Sequence, residues 1–61
     1  MHYLGITSTV MSDGMTANTV VIDSENRTAT SGDVVMFSNK EYIWNGNAWE
    51  LLGDENAYKL L

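Results

Sequence analysis

The chain is rich in residues able to do chemistry, but their spacing brings few of them together. A nucleophilic site needs a base within hydrogen-bond reach of an activated hydroxyl or thiol. Serines and threonines abound, yet the only imidazole is His2, beside the first methionine in a stretch prone to fray. Glycoside hydrolysis needs two carboxyl groups facing one cleft. Here the acids stand mostly in turns, and turn chemistry alone accounts for Asp13, Asp23 and Asp33. No D-x-[DN]-x-[DN]-G run provides a calcium loop, no glycine-rich phosphate loop is present, and one histidine is a poor basis for zinc. Asn26-Arg27-Thr28 fits the glycosylation pattern and is read as part of a turn. No catalytic residue, metal ligand or cofactor is expected, and the chain is read as a non-enzyme.

Composition narrows the partners. Three basic residues against eight acidic ones give a formal charge of −5. Arg27, Lys40 and Lys59 are scattered, whereas phosphate backbones are held by clustered Lys and Arg. Nucleic acid is therefore not an expected partner. Neither is a membrane, since no run approaches the ~20 apolar residues of a span. The start, M-H-Y-L-G-I-T, lacks the basic and long apolar regions of a signal peptide, so the chain reads as soluble and untargeted. At 61 residues, folding removes only roughly 60% of the unfolded surface from water, and with no cysteine there is no disulfide to help. So small a core leaves association with other chains, or an unusually tidy interior, as its means of stability.

The elements that must position these residues are strands. Thr, Val, Ile, Tyr and Trp suit a pleated surface, and Gly, Asn, Asp and Ser punctuate them. Residues 2–7 form a first strand, with Tyr3 and Leu4 on opposite faces. Ser12-Asp13-Gly14 is a turn signal, 19–22 a strand, and Asp23-Ser24-Glu25-Asn26 a polar turn. Residues 27–30 return as a short strand. Ser31-Gly32-Asp33 then turns into 34–37, followed by strands over 41–44 and 48–52. The reading is an all-β module over 1–53: a small antiparallel sheet, or a barrel-like stack of hairpins. Over 54–61, Asp54 as cap, Glu55 in a first turn and Lys59 in a last one predict a short helical turn.

The final hairpin, K-E-Y-I-W-N-G-N-A-W-E-L-L, admits two registers. With Gly46-Asn47 central, a type II′ turn pairs Asn45 with Ala48 and sets Trp44 opposite Trp49. With Asn45-Gly46 central, a type I′ turn opposes Tyr42 and Trp49 instead. Either way Tyr42 and Trp44 share one face, as do Trp49 and Leu51, while Ile43 and Leu52 take the other. The structural reading gives Tyr42, Trp44, Trp49 and Leu51 to the core. The sharper one exposes Tyr42, Trp44 or Trp49 as a stacking surface for sugars. Apolar residues on both faces suit a hairpin that packs against a second copy.

The order of pieces is more specific than any one of them. Y-L-G-I-T-S-T (3–9) precedes S-D-G-M-T-A-N (12–18) and V-V-I-D (20–23). T-S-G-D-V-V-M-F (30–37), K-E-Y-I-W-N-G (40–46) and A-W-E-L-L-G-D-E (48–55) complete the series. This order resembles a short β module of tailed-bacteriophage virion proteins, fibre-like or capsid-decorating, across almost the whole chain. Those modules often carry a proline near Val20 and a G-T-T-T run where this chain reads G-I-T-S. The resemblance implies a virion protein that forms a homotrimer and meets other virion proteins. A second likeness, of G-D-V-V-M-F-S-N-K-E-Y-I-W and A-W-E-L-L, is to small chitin- and cellulose-binding modules. Their longer insert before the last tryptophan is here only Asn45-Gly46-Asn47.

The sequence is thus read as a non-enzymatic structural component of a phage particle. Its expected contact residues are Ile43, Trp44, Trp49, Leu51 and Leu52 of the hairpin, with Tyr58, Leu60 and Leu61 of the tail. The alternative is a carbohydrate-binding module stacking a glycan, such as one on a host surface, on Tyr42, Trp44 and Trp49.

Overall fold

The computed structural model describes residues 2–54, and these are all-β. Six strands follow in order: β1 (His2–Ile6), β2 (Thr19–Ile22), β3 (Glu25–Thr28), β4 (Asp33–Phe37), β5 (Lys40–Trp44) and β6 (Trp49–Asp54). They make a four-stranded sheet ordered β1-β4-β5-β6 and a separate two-stranded β2-β3 hairpin. The expected purely antiparallel sheet or barrel-like stack is corrected here. The larger sheet is mixed and open, because β1 runs parallel to β4. A parallel pair needs a long crossover, and the connection after β1 together with the β2–β3 hairpin supplies it. The expected helical turn over 54–61 lies outside the described residues, apart from Asp54, which ends β6.

Three hairpins follow from local chemistry. Asp23 and Ser24 form a two-residue turn with φ of 51° and 66°, and Ser38 and Asn39 another with φ of 52° and 65°. Positive φ at both central residues is the type I′ pattern, whose twist matches that of paired strands. The first turn is shorter than expected, since Glu25 and Asn26 already belong to β3. The third turn adopts the register that pairs Trp44 with Trp49. Gly46 there has φ of 101°, where a side chain would be strained. Asn45 N donates to Ala48 O at 3.0 Å, but the return bond goes elsewhere: Asn47 N and Ala48 N both donate to Asn45 Oδ1 at 2.8 Å. The asparagine side chain thus replaces its own carbonyl, an Asx turn.

The core lies between the sheet and the hairpin, inside a single chain. Val35, Tyr42, Trp44 and Trp49 from the sheet meet Val20 and Ile22 from β2, with Met11 and Ala29 beside them. β1 approaches so closely that a Cβ on Gly5 would stand 3.3 Å from Ile22 Cγ2, and Gly5 also has φ of 130°. No described buried side-chain nitrogen or oxygen lacks a partner. The buried acid Asp33 accepts from Thr30 N at 2.9 Å and Thr30 Oγ1 at 3.1 Å, and His2 Nδ1 lies 3.5 Å from its other oxygen.

One connection, residues 7–18, seals two strand edges. Thr7 Oγ1 and Ser8 N both donate to Val21 O, and Val21 N donates to Thr9 Oγ1 at 2.9 Å. The T-S-T run therefore occupies the free side of β2. Further along, Gly14 N donates to Trp49 O at 2.7 Å, Trp49 N donates to Met15 O at 2.8 Å, and Leu51 N donates to Asp13 Oδ1 at 2.9 Å. Open edges invite pairing with other chains. Here the outer side of β6 is covered along Trp49 and Leu51, while β1 is interrupted by a bulge between Tyr3 and Gly5.

Candidate functional site

The expected contact residues divide between the two faces of the larger sheet. Directly paired residues share a face, and faces alternate along a strand. Val35, Tyr42 and Leu51 therefore line the inner face with Trp44 and Trp49. Tyr42 and Trp44 are buried and Trp49 is wholly enclosed. The two indoles meet edge-on, centroids 5.3 Å apart at 62°, and Trp49 Nε1 donates to Ala17 O at 2.7 Å. Leu51 is on this side of the sheet but half exposed at its margin. Ile43 and Leu52 are on the outer face, half-buried and exposed respectively. Tyr58, Leu60 and Leu61 lie outside the described residues.

The indoles thus belong to the chain's own core, and neither presents an open ring face. The large apolar side chains left exposed to meet another molecule are Tyr3, Ile6 and Leu52 on the outer face of the sheet, with Val10 and Leu51 elsewhere. The register builds the outer face in two rows. Tyr3, Val34, Ile43 and Glu50 form one across β1, β4, β5 and β6. Ile6, Met36 and Glu41 form the other, ending at the β6 bulge, where Leu52 and Gly53 stand opposite Glu41. No described element packs on these rows. Tyr3 is 53% exposed and Ile6 69%, whereas isolated apolar residues at that exposure are ordinary only when scattered. Val34, flanked by Tyr3 and Ile43, is buried yet stands apart from the contiguous core cluster.

Tyr3, Ile6, Val34 and Met36 of this face were not among the contact residues expected from the sequence. The opposed faces of Tyr3 and Leu4 were legible there, but nothing local says that β1 lies against β4. The acids of the outer face differ in setting. Glu50 Oε2 accepts from Asn45 Nδ2 at 2.9 Å, and Oε1 takes part in no described hydrogen bond. Glu41 is half-buried between Met36 and the bulge.

Among the described residues the surface holds no pocket, and no three His, Asp or Glu side chains gather as metal ligands. Comparison of the chain with protein-family models, with curated proteins and with solved structures gives no match. The outer sheet face is the candidate functional surface: apolar on its β1 side and acidic towards β6.

Proposed function

We propose that the protein is a non-enzymatic structural module of a tailed-phage particle, fibre-like or decorating, which works by self-association and contact with other virion proteins. The supporting observation is the outer sheet face, where exposed Tyr3 and Ile6 of β1 and Leu52 of β6 flank the half-buried Met36 and Ile43, with Val34 buried between them. Contiguous apolar patches of this kind on small proteins mark contact surfaces. The virion assignment itself rests on the resemblance of the chain's motif order to phage β modules.

This reading shifts the association surface from the tryptophan face to its reverse. The carbohydrate-binding alternative has less support, since sugar stacking needs open aromatic faces and Tyr42, Trp44 and Trp49 are at most 6% exposed. Quantitative mass spectrometry of density-purified particles of the phage that encodes the chain tests the proposal. Many copies per particle, retained through high-salt washing, are expected. Absence from the particles, or a change in tryptophan emission on titration with chitin or cellulose oligosaccharides, would overturn it.

A further inference from the structure

We infer that Asn45 is a latent modification site: its side-chain amide converts to a carboxyl group without an enzyme, slowly while the third hairpin is closed and faster when it opens. The inference goes beyond the association reading and does not depend on it. Deamidation requires the backbone nitrogen of the next residue to reach the asparagine side-chain carbon. Glycine hinders that approach least, having no Cβ. Asn45 is the one asparagine of the chain followed by glycine. Asn45, Gly46 and Asn47 are all exposed, and no described hydrogen bond engages Gly46 N. Even a Cβ built on Gly46 would meet nothing nearer than Ser31 at 3.9 Å. Water reaches the site freely.

The conversion balances with water as its only co-reactant. Gly46 N attacks Asn45 Cγ, and the amide proton passes to solvent as the new C–N bond forms. The Cγ–Nδ2 bond breaks, and Nδ2 takes up a proton from solvent and leaves as ammonia. Water then opens the five-membered imide at one of its two carbonyl carbons. Addition at Cγ returns the original backbone with an aspartate side chain. Addition at the main-chain carbon routes the backbone through the side chain, as isoaspartate.

The closed hairpin works against the first of these steps. Asn45 Oδ1 accepts from Asn47 N and Ala48 N, both at 2.8 Å, and Nδ2 donates to Glu50 Oε2 at 2.9 Å. The amide is thus drawn forward across the turn and pinned at three points, whereas ring closure needs Cγ turned back onto Gly46 N. Glu50 also holds Nδ2 as a donor, and departure requires that nitrogen to gain a proton. The two N–H groups on Oδ1 polarise the carbonyl, which favours attack. That gain counts only in an aligned geometry, and a misplacement of about 1 Å costs up to ~100-fold. Orientation outweighs polarisation.

Either product keeps the hairpin from closing as before. Aspartate sets a second carboxylate against Glu50 where an N–H had been donated, and the like charges repel. Isoaspartate adds a backbone atom to the turn that places Trp44 opposite Trp49. An opening that leads to reaction is therefore recorded, and it makes the next opening easier.

The chain is incubated in mildly alkaline buffer, folded or unfolded in urea, and position 45 is read from fragment masses of the tryptic peptide 41–59. The folded chain is expected to deamidate at least about tenfold more slowly than the unfolded one. Glu50→Ala, which frees Nδ2, is expected to raise the folded rate at least about threefold with an unchanged circular-dichroism spectrum. Glu50→Gln keeps an acceptor for Nδ2 and is expected to retain most of the protection. Asn45→Asp, which carries one product from the start, is expected to lower the thermal midpoint. Equal rates in the folded and unfolded chain overturn the lock, and this comparison stands even where Glu50→Ala fails to fold. An unreactive Asn45 in the unfolded chain overturns the site. A Glu50→Ala rate no higher than that of the unaltered chain overturns the part given to Glu50, and a midpoint unmoved by Asn45→Asp overturns the loosening of the hairpin.

Discussion

Trp49 carries more of this fold than any other side chain. It is wholly enclosed, meets Trp44 edge-on, and binds the 7–18 connection through its backbone N–H, its carbonyl and its indole N–H. Replacing it with Phe removes the hydrogen bond to Ala17 O and opens space in the core. The expected loss in urea-unfolding free energy is about 2–4 kcal/mol, from the cavity and the unpaired carbonyl together; a loss below ~0.5 kcal/mol would contradict this role. The assignment of Trp49 to the core was legible, since a short chain has few other large side chains to bury. Leu51 was read with it by alternation, but at the sheet margin the right face does not guarantee cover. Asp13 shows a different limit. Its residue type announces a turn, while its use as a cap for Leu51 N depends on a contact across most of the chain.

At the scale of elements, the hairpins were readable because their instructions are local. Two-residue turns, alternating strands and Gly46 all announce themselves within a few positions. Each I′ turn nevertheless places a serine, which tolerates positive φ less readily than Asn, Asp or Gly, at one of its two central positions. Ser24 sits at φ 66°, and Ser24→Gly would give the Asp-Gly pair that this turn favours. Relief of backbone strain outweighs the extra freedom of glycine in the unfolded chain, so a gain of about 0.5–1 kcal/mol is expected. Thermal unfolding followed by circular dichroism measures it, and a lowered midpoint would contradict the turn assignment. The parallel β1–β4 pair was not readable. It has no turn of its own, and the threonine-rich stretch after it acts through Thr7 and Thr9 hydroxyls on a strand twelve or more residues away. A motif that looks nondescript in isolation is thus an edge seal.

For the molecule as a whole, small size suggested that neighbours complete the core, whereas the core cluster is formed within one chain. A core cluster assembled from one chain predicts that association and folding are separable. The unfolding midpoint should move by no more than about 2 °C over a tenfold dilution, since association then adds little to stability; a strong concentration dependence in calorimetry would make assembly obligatory. Such separation suits a module used in many copies, where individually weak faces gain strength from being held together. The route by which the fold closes has a consequence of its own. During synthesis β1 emerges before the strand it pairs with, because Asp33–Phe37 has yet to be made. Local hairpins zip within microseconds, and the distant closure is slower. β1, made well before its partner β4, is thus among the last strands to find its place.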